Sequence, residues 1–272
     1  ADLLVGGTGS DTLDGGDWMD YLVGGPGDDR YDGGPGIEDV ASFEFATAAV
    51  QASLAARTAA GEGADTLVDV EWIVGSRFGD TLTGDAEDNV FFGMKGSDVI
   101  SGGDGLDLFL GGAGDDVFHG GPGDGDAASF EFTTVAVRVD IAAGTAKGEG
   151  ADTFDGIEDA VGSPQGDTLL GNGLVNYLLG LAGNDSLFGR AGDDVLAGGD
   201  GTDRLDGGEG DDYCVEGETL NSCEEPEAAL GASPRAGARG ARWGSLAEVA
   251  RWWGASWAAS AFLRPGAGLR GR

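Results

Sequence analysis

A nine-residue period dominates this chain and limits what it can fold into. Residues 6–14 read GGTGSDTLD, 24–32 read GGPGDDRYD and 111–119 read GGAGDDVFH. The pattern recurs at 102–110, 198–206 and 207–215, with looser copies from Gly15, Gly93, Gly180 and Gly189. Its consensus is G-G-x-G-x-D-x-U-x, with U apolar. The sixth position holds Asp11, Asp20, Asp29, Asp98, Asp107, Asp116, Asp185, Asp194, Asp203 and Asp212. The eighth holds Leu13, Leu22, Tyr31, Ile100, Phe109, Phe118, Leu187, Leu196, Leu205 and Cys214. A disordered Gly-Asp linker has no reason to keep an apolar residue in that register.

A second period of 87 overlies the first. Residues 41–84 align without a gap to 128–171, with 27 of 44 positions identical. The expected organisation is a repeat body over 1–225, with a tandem duplication at about 2–88 and 89–175 and a terminal array at 176–225. Each unit carries a Gly-poor insert, 38–74 and 125–161, with β-type stretches such as AVRVDI at 136–141. The inserts read as larger coils of the same repeat structure. Each is followed by a half-degenerate repeat, GSRFGDTLT at 75–83 and GSPQGDTLL at 162–170, which contribute Asp80 and Asp167.

Charge narrows the function classes. Acids outnumber bases 49 to 15, a net charge of −34. Residues 227–272 hold seven Arg and two Glu, so 1–226 carry 47 acids against eight bases. A field of that sign repels nucleic acid and anionic lipid and attracts cations. No run of 18 apolar residues reads as a membrane-spanning helix. The chain opens at Ala1 without a signal-peptide pattern, so the expectation is a mature chain or a fragment.

The spacing itself points to calcium. Glycines at positions one, two and four allow positive φ and a tight loop whose carbonyls turn inward. The aspartate at six adds a carboxylate. Positions seven to nine form a short strand whose alternation sends only residue eight inward. Two nonapeptides make an 18-residue turn, so loops on one side stack and an ion between them meets oxygens from both. An oxygen-only set of adaptable geometry suits Ca²⁺ better than Mg²⁺ or Zn²⁺. Pairing each repeat with the next but one sets a ceiling of about ten ions. Asn89, and the shifted acids of the loops led by Gly33 and Gly120, lower that number.

These nonapeptides resemble the RTX, or haemolysin-type, calcium-binding repeat proteins over roughly 6–215. The resemblance implies an all-β fold, a parallel β-roll or β-solenoid, and secretion from a bacterial cell. It implies as side-chain ligands the position-six aspartates above with Asp80 and Asp167. It implies as backbone ligands the loop carbonyls of Gly7, Gly9, Gly25, Gly27, Gly96, Gly103, Gly105, Gly112, Gly114, Gly183, Gly192, Gly199, Gly201, Gly208 and Gly210. Departures are Trp18 in place of the third loop glycine, and Met94, Leu181 and Arg190 in place of the second. Many family members end in an export signal that is not basic, whereas this tail is.

Calcium is expected to act as the folding switch. Ordering a Gly-rich turn costs about 1–2 kcal/mol of backbone entropy per residue, and stacked aspartates repel. A site with Kd of about 10⁻⁴ M adds about 1.4 kcal/mol at millimolar ion and almost nothing at cytosolic levels. The chain is therefore expected to stay extended inside the cell and fold on export.

Cys214 and Cys223 occupy successive eighth positions, where a disulfide would close the open end of the solenoid; two free buried thiols are the alternative. His119, the lone histidine, reads as an exposed strand-end residue. The tail, 226–272, holds four of six Trp; its readings are a capping helix, a disordered or out-of-frame ending, and, most weakly, contact with a membrane surface. No HExxH, G-x-S-x-G or P-loop motif occurs, and the repeat explains the paired carboxylates. The expected function is a non-catalytic extracellular module, structural, adhesive or assisting folding. The alternative is the accessory C-terminal region of a secreted hydrolase, epimerase or pore-forming toxin whose catalytic domain lies upstream. A cell-surface, matrix or fused-domain partner is left open.

Overall fold

The computed structural model describes residues 1–36, 38–123 and 125–223. The readings of the 226–272 tail lie outside the described residues.

The described residues form a β-solenoid without a helix. Strands fall where the nonapeptide puts them, at positions seven to nine: Thr12–Asp14, Tyr21–Val23, Arg30–Asp32, Val99–Ser101 and onward. Successive strands alternate between an 11-stranded and a 15-stranded sheet. Within each sheet, equivalent positions one turn apart lie side by side in parallel. Leu13 pairs with Tyr31, Ile100 with Phe118 and Leu187 with Leu205, an offset of 18.

Position eight fills the space between the sheets. Leu22, Ile100, Phe109, Leu187, Leu196 and Leu205 are fully buried. Phe91, Phe109 and Phe118 run as a file of rings with centroids 5.6 Å apart. Each such side chain contributes about 1.5–3 kcal/mol by leaving water. Position eight is not alone in being buried, however. On the 11-stranded sheet from Tyr21–Val23 to Ala127–Ser129, positions seven and nine are also covered, as at Tyr21, Val23, Val90, Phe92, Leu108 and Leu110, whereas in the last strands they are half-exposed. Insert residues reach this outer face: Tyr21 donates to Ser42 Oγ at 2.9 Å, and the Phe92 and Phe132 rings meet at 6.5 Å.

The inserts are larger coils, as expected, with one feature the period does not encode. Each lays three strands in the 15-stranded sheet where an ordinary turn lays one. In the first insert these are Gln51–Ser53, Thr58–Ala60 and Ala64–Val68, paired antiparallel to one another. The second repeats the meander with Arg138–Asp140, Thr145–Lys147 and Ala151–Asp155. Four-residue turns connect the first two strands of each, too short for the crossover a parallel pair requires.

The disulfide between Cys214 and Cys223 is present, with Cα atoms 5.7 Å apart. The second cysteine is not at an eighth position. Leu220 pairs with Leu205, so the final turn is 15 residues and Cys223 follows the strand Thr219–Asn221. The bond joins the last strand of the 11-stranded sheet to the chain leaving the 15-stranded one.

Candidate metal centre

The loops between strands stack in two files, one leading into each sheet. Every candidate glycine has positive φ, between 87° at Gly112 and 155° at Gly201. At Gly114 the requirement is absolute, with φ 154° and a Cβ that would stand 1.4 Å from the carbonyl oxygen of Gly96. The carbonyl of one loop therefore points at the backbone of the next, with no room for a side chain between. The departures keep this shape: Trp18, Met94, Leu181 and Arg190 hold φ of 79°, 76°, 80° and 83°. Such non-glycine residues cost about 1–3 kcal/mol each in strain, so the loop geometry is imposed by the stack.

The position-six aspartates, buried except for the half-buried Asp11, are linked from turn to turn. Asp11 N–H donates to Asp29 Oδ1 at 2.8 Å, Asp98 N–H to Asp116 Oδ1 at 2.9 Å, and Asp185 N–H to Asp203 Oδ1 at 2.8 Å. Asp194 N–H donates in the same way to Asp212 Oδ1 at 2.9 Å, and Asn89 N–H to Asp107 Oδ1 at 2.9 Å. One carboxylate oxygen is thus used to hold the neighbouring turn. The other folds back over its own loop: a Cβ at Gly111 would lie 2.3 Å from Asp116 Oδ2. In Asp11, Asp20, Asp29, Asp98, Asp107, Asp116, Asp185, Asp194 and Asp203 this Oδ2 is buried without a hydrogen-bond partner.

Burial raises the pKa of five of these anions, Asp98, Asp107, Asp116, Asp185 and Asp194. Desolvation pushes Asp98 up to about 8, Asp107 and Asp194 to about 7, and Asp185 to about 6. Aspartates one turn away add like-charge repulsion, as Asp116 and Asp80 do for Asp98. A row of desolvated, half-satisfied carboxylates is costly unless a cation or a proton neutralises it.

Asp80 and Asp167 differ. Asp80 Oδ1 accepts from Val50 N–H at 2.7 Å and Ser76 Oγ at 2.8 Å, while Oδ2 accepts from Ser76 N–H. Asp167 makes the same bonds with Val137 and Ser163. A serine in place of the second loop glycine supplies the hydroxyl that satisfies the carboxylate.

Several acids join the files without occupying the sixth position. Asp39 accepts from Asp20 N–H at 2.7 Å, and Asp126 from Asp107 N–H at 2.9 Å. Each sits one residue late, and the shift is visible in GGPGIED at 33–39. Asp65 and Asp152 accept from Asp29 and Asp116 across 36 residues. Their signal is the repeated GEGADT, a compressed loop. Among the described residues, no three His, Cys, Asp or Glu side chains converge on a point that could hold a metal. A cation in these loops would therefore depend on carbonyls as much as on carboxylates, and the orphaned Oδ2 atoms over carbonyl-lined loops fit it. His119 is exposed and pairs with Asp155 at 2.7 Å.

A family model, the RTX calcium-binding nonapeptide repeat (4 copies), matches residues 1–17, 20–37, 69–100, 92–126 and 179–214. No curated protein matches the chain.

Proposed function

We propose, from the premise that this chain belongs to the RTX calcium-binding repeat proteins, that calcium completes its fold outside the cell and that the module is non-catalytic. The observation that carries the reading is the file of buried Asp Oδ2 atoms without a partner. Bound calcium would supply positive charge there, and hard oxygen donors of this kind are what it takes. The side-chain ligands are the position-six aspartates, Asp11 through Asp212. The backbone ligands are the carbonyls of the paired loops, such as Gly7 and Gly9 beneath Gly25 and Gly27, or Gly183 beneath Gly201 and Gly192 beneath Gly210.

The ligand set is narrower than the motif. Asp80 and Asp167 serve as internal struts, because both carboxylate oxygens are already engaged. The same division limits the ions to fewer than the ten that loop pairing permits. Secretion fits this reading, because millimolar calcium outside a cell would support the fold and cytosolic calcium would not.

Calcium titration of chelator-stripped chain, followed by circular dichroism and by metal analysis of the desalted product, tests this. A β signal that grows with calcium is expected. Asp98→Asn and Asp185→Asn should lower the bound-ion count, and Asp80→Asn and Asp167→Asn should leave it unchanged. A full β signal in chelator at neutral pH refutes the reading.

A further inference from the structure

The turn-to-turn bonds between acids do not run unbroken along the solenoid. In the file leading into the 15-stranded sheet, Asp11 N–H donates to Asp29, and Asp29 N–H to Asp65 of the first insert. The next acceptor, Asp80, takes its bond from Val50 N–H, so an apolar residue stands where the series calls for an acid. The series resumes from Asp80 through Asp98 and Asp116 to Asp152 of the second insert. It breaks again where Asp167 accepts from Val137 N–H, then continues through Asp185 and Asp203 to Glu218.

The other file breaks at the same two levels. Asp20 N–H donates to Asp39, and Asp39 N–H to Glu71 Oε2. Glu71 N–H turns back to the Asp39 carbonyl, and the next residue of the file, Asn89, uses its Oδ1 on Asp85 N–H in its own loop. A second run goes from Asn89 through Asp107 and Asp126 to Glu158. Asn176 Oδ1 then accepts from Asn172 N–H in its own loop, and Asn176 N–H opens the last run, to Asp194 and Asp212. Each seam is therefore made of satisfied or uncharged groups. Ser76 and Ser163 hydroxyls satisfy Asp80 and Asp167, and asparagine replaces aspartate in the facing file. Asn176 Nδ2 donates to the Glu158 carbonyl at 2.7 Å, whereas Asn89 Nδ2 is buried without a partner; neither amide adds a charge.

The buried Oδ2 atoms without a partner fall into groups between these seams. Asp11, Asp20, Asp29 and Asp39 precede the first seam. Asp98, Asp107 and Asp116 lie between the two, and Asp185, Asp194 and Asp203 follow the second. The sheet itself crosses both seams, where Gln51 pairs with Thr81 and Arg138 with Thr168. The carboxylate series stops there while the backbone ladder continues. Val50 and Val137, Ser76 and Ser163, and Asn89 and Asn176 are each 87 residues apart, so the duplication carries the same break twice.

We propose, resting on the calcium reading above, that calcium loads this chain in three segments, 11–42, 98–129 and 185–215, and that the two seams are metal-free joints that confine its cooperativity. A cation on one aspartate orders that loop and, through the N–H it donates, fixes the acceptor carboxylate of the next turn. Hydrogen bonds in series reinforce one another, and stacked repeats act on their nearest neighbours. At Val50 and Val137 no carboxylate stands in line to relay the effect, so it ends at the seam.

Hydrogen-exchange mass spectrometry across a calcium titration of the full chain tests the proposal, with wild type, Asp29→Asn, Asp98→Asn and Asp185→Asn compared. Wild-type peptides within one segment should share a calcium midpoint. Each substitution should raise the midpoint throughout its own segment by about tenfold and move the other two by less than about twofold. A shift shared by all three segments, or one confined to the substituted turn, overturns the segmentation while leaving calcium binding intact. Protection that ignores calcium in every segment overturns the proposal through its premise, the calcium reading itself.

Discussion

Protons should replace calcium in part. Consider the chain in chelator, taken from pH 8 down to pH 5. Burial raises the pKa of Asp98 to about 8, of Asp107 and Asp194 to about 7, and of Asp185 to about 6, from an unfolded value of 3.8. The folded state therefore binds more protons than the unfolded state in this window. Stability must rise as pH falls through the folded pKa values, levelling off only near the unfolded value. Raising a pKa by one pH unit corresponds to about 1.4 kcal/mol. Counting for each of these four carboxylates only about one pH unit of its rise as falling between pH 8 and pH 5, acidification contributes on the order of 5 kcal/mol, the lower end of a whole domain's stability. The calcium-free chain should thus gain β structure between pH 8 and pH 5, read by circular dichroism with light scattering as a control for association near the pI of about 4.1. Calcium affinity should weaken over the same interval, because protons compete for the same oxygens. A chelated chain whose β content stays flat, or falls, on acidification would refute the argument that desolvated aspartates are what keep the empty solenoid from forming.

Other consequences follow from single positions. Asp116→Asn keeps the acceptor for Asp98 N–H but removes a buried charge; it should lower calcium affinity by about tenfold at that loop, or about 1.4 kcal/mol, and raise residual β content in chelator. Gly114→Ala places a methyl group against the Gly96 carbonyl and should cost about 2–4 kcal/mol, read as a lower melting temperature in saturating calcium. Cys214→Ser with Cys223→Ser releases a nine-residue closure worth about 2.6 kcal/mol in the chain-entropy treatment; hydrogen exchange should then speed at 213–221 while the middle of the solenoid remains protected.

The local pattern determined most of the architecture. Apolar residues at every eighth position, strands at positions seven to nine and glycines at the loop turns all follow from backbone sterics and side-chain alternation within nine residues. The likeness of neighbouring repeats then leaves little choice but stacking, so the solenoid, its two sheets and the buried row from Leu13 to Cys214 were legible in advance. What the nonapeptide could not reveal is which distant segment each carboxylate meets. That Asp29 takes its neighbour's contact from Asp65 across the insert, that Ser76 satisfies Asp80, and that the last turn shortens so that Leu220 displaces Cys223 from register are all decided by stacking order. So is the difference between Asn89 and Asn176, two identical residues in homologous loops whose amides meet different surroundings. Hydrogen bonding and desolvation depend on the assembled neighbours, and a repeat read in isolation has none.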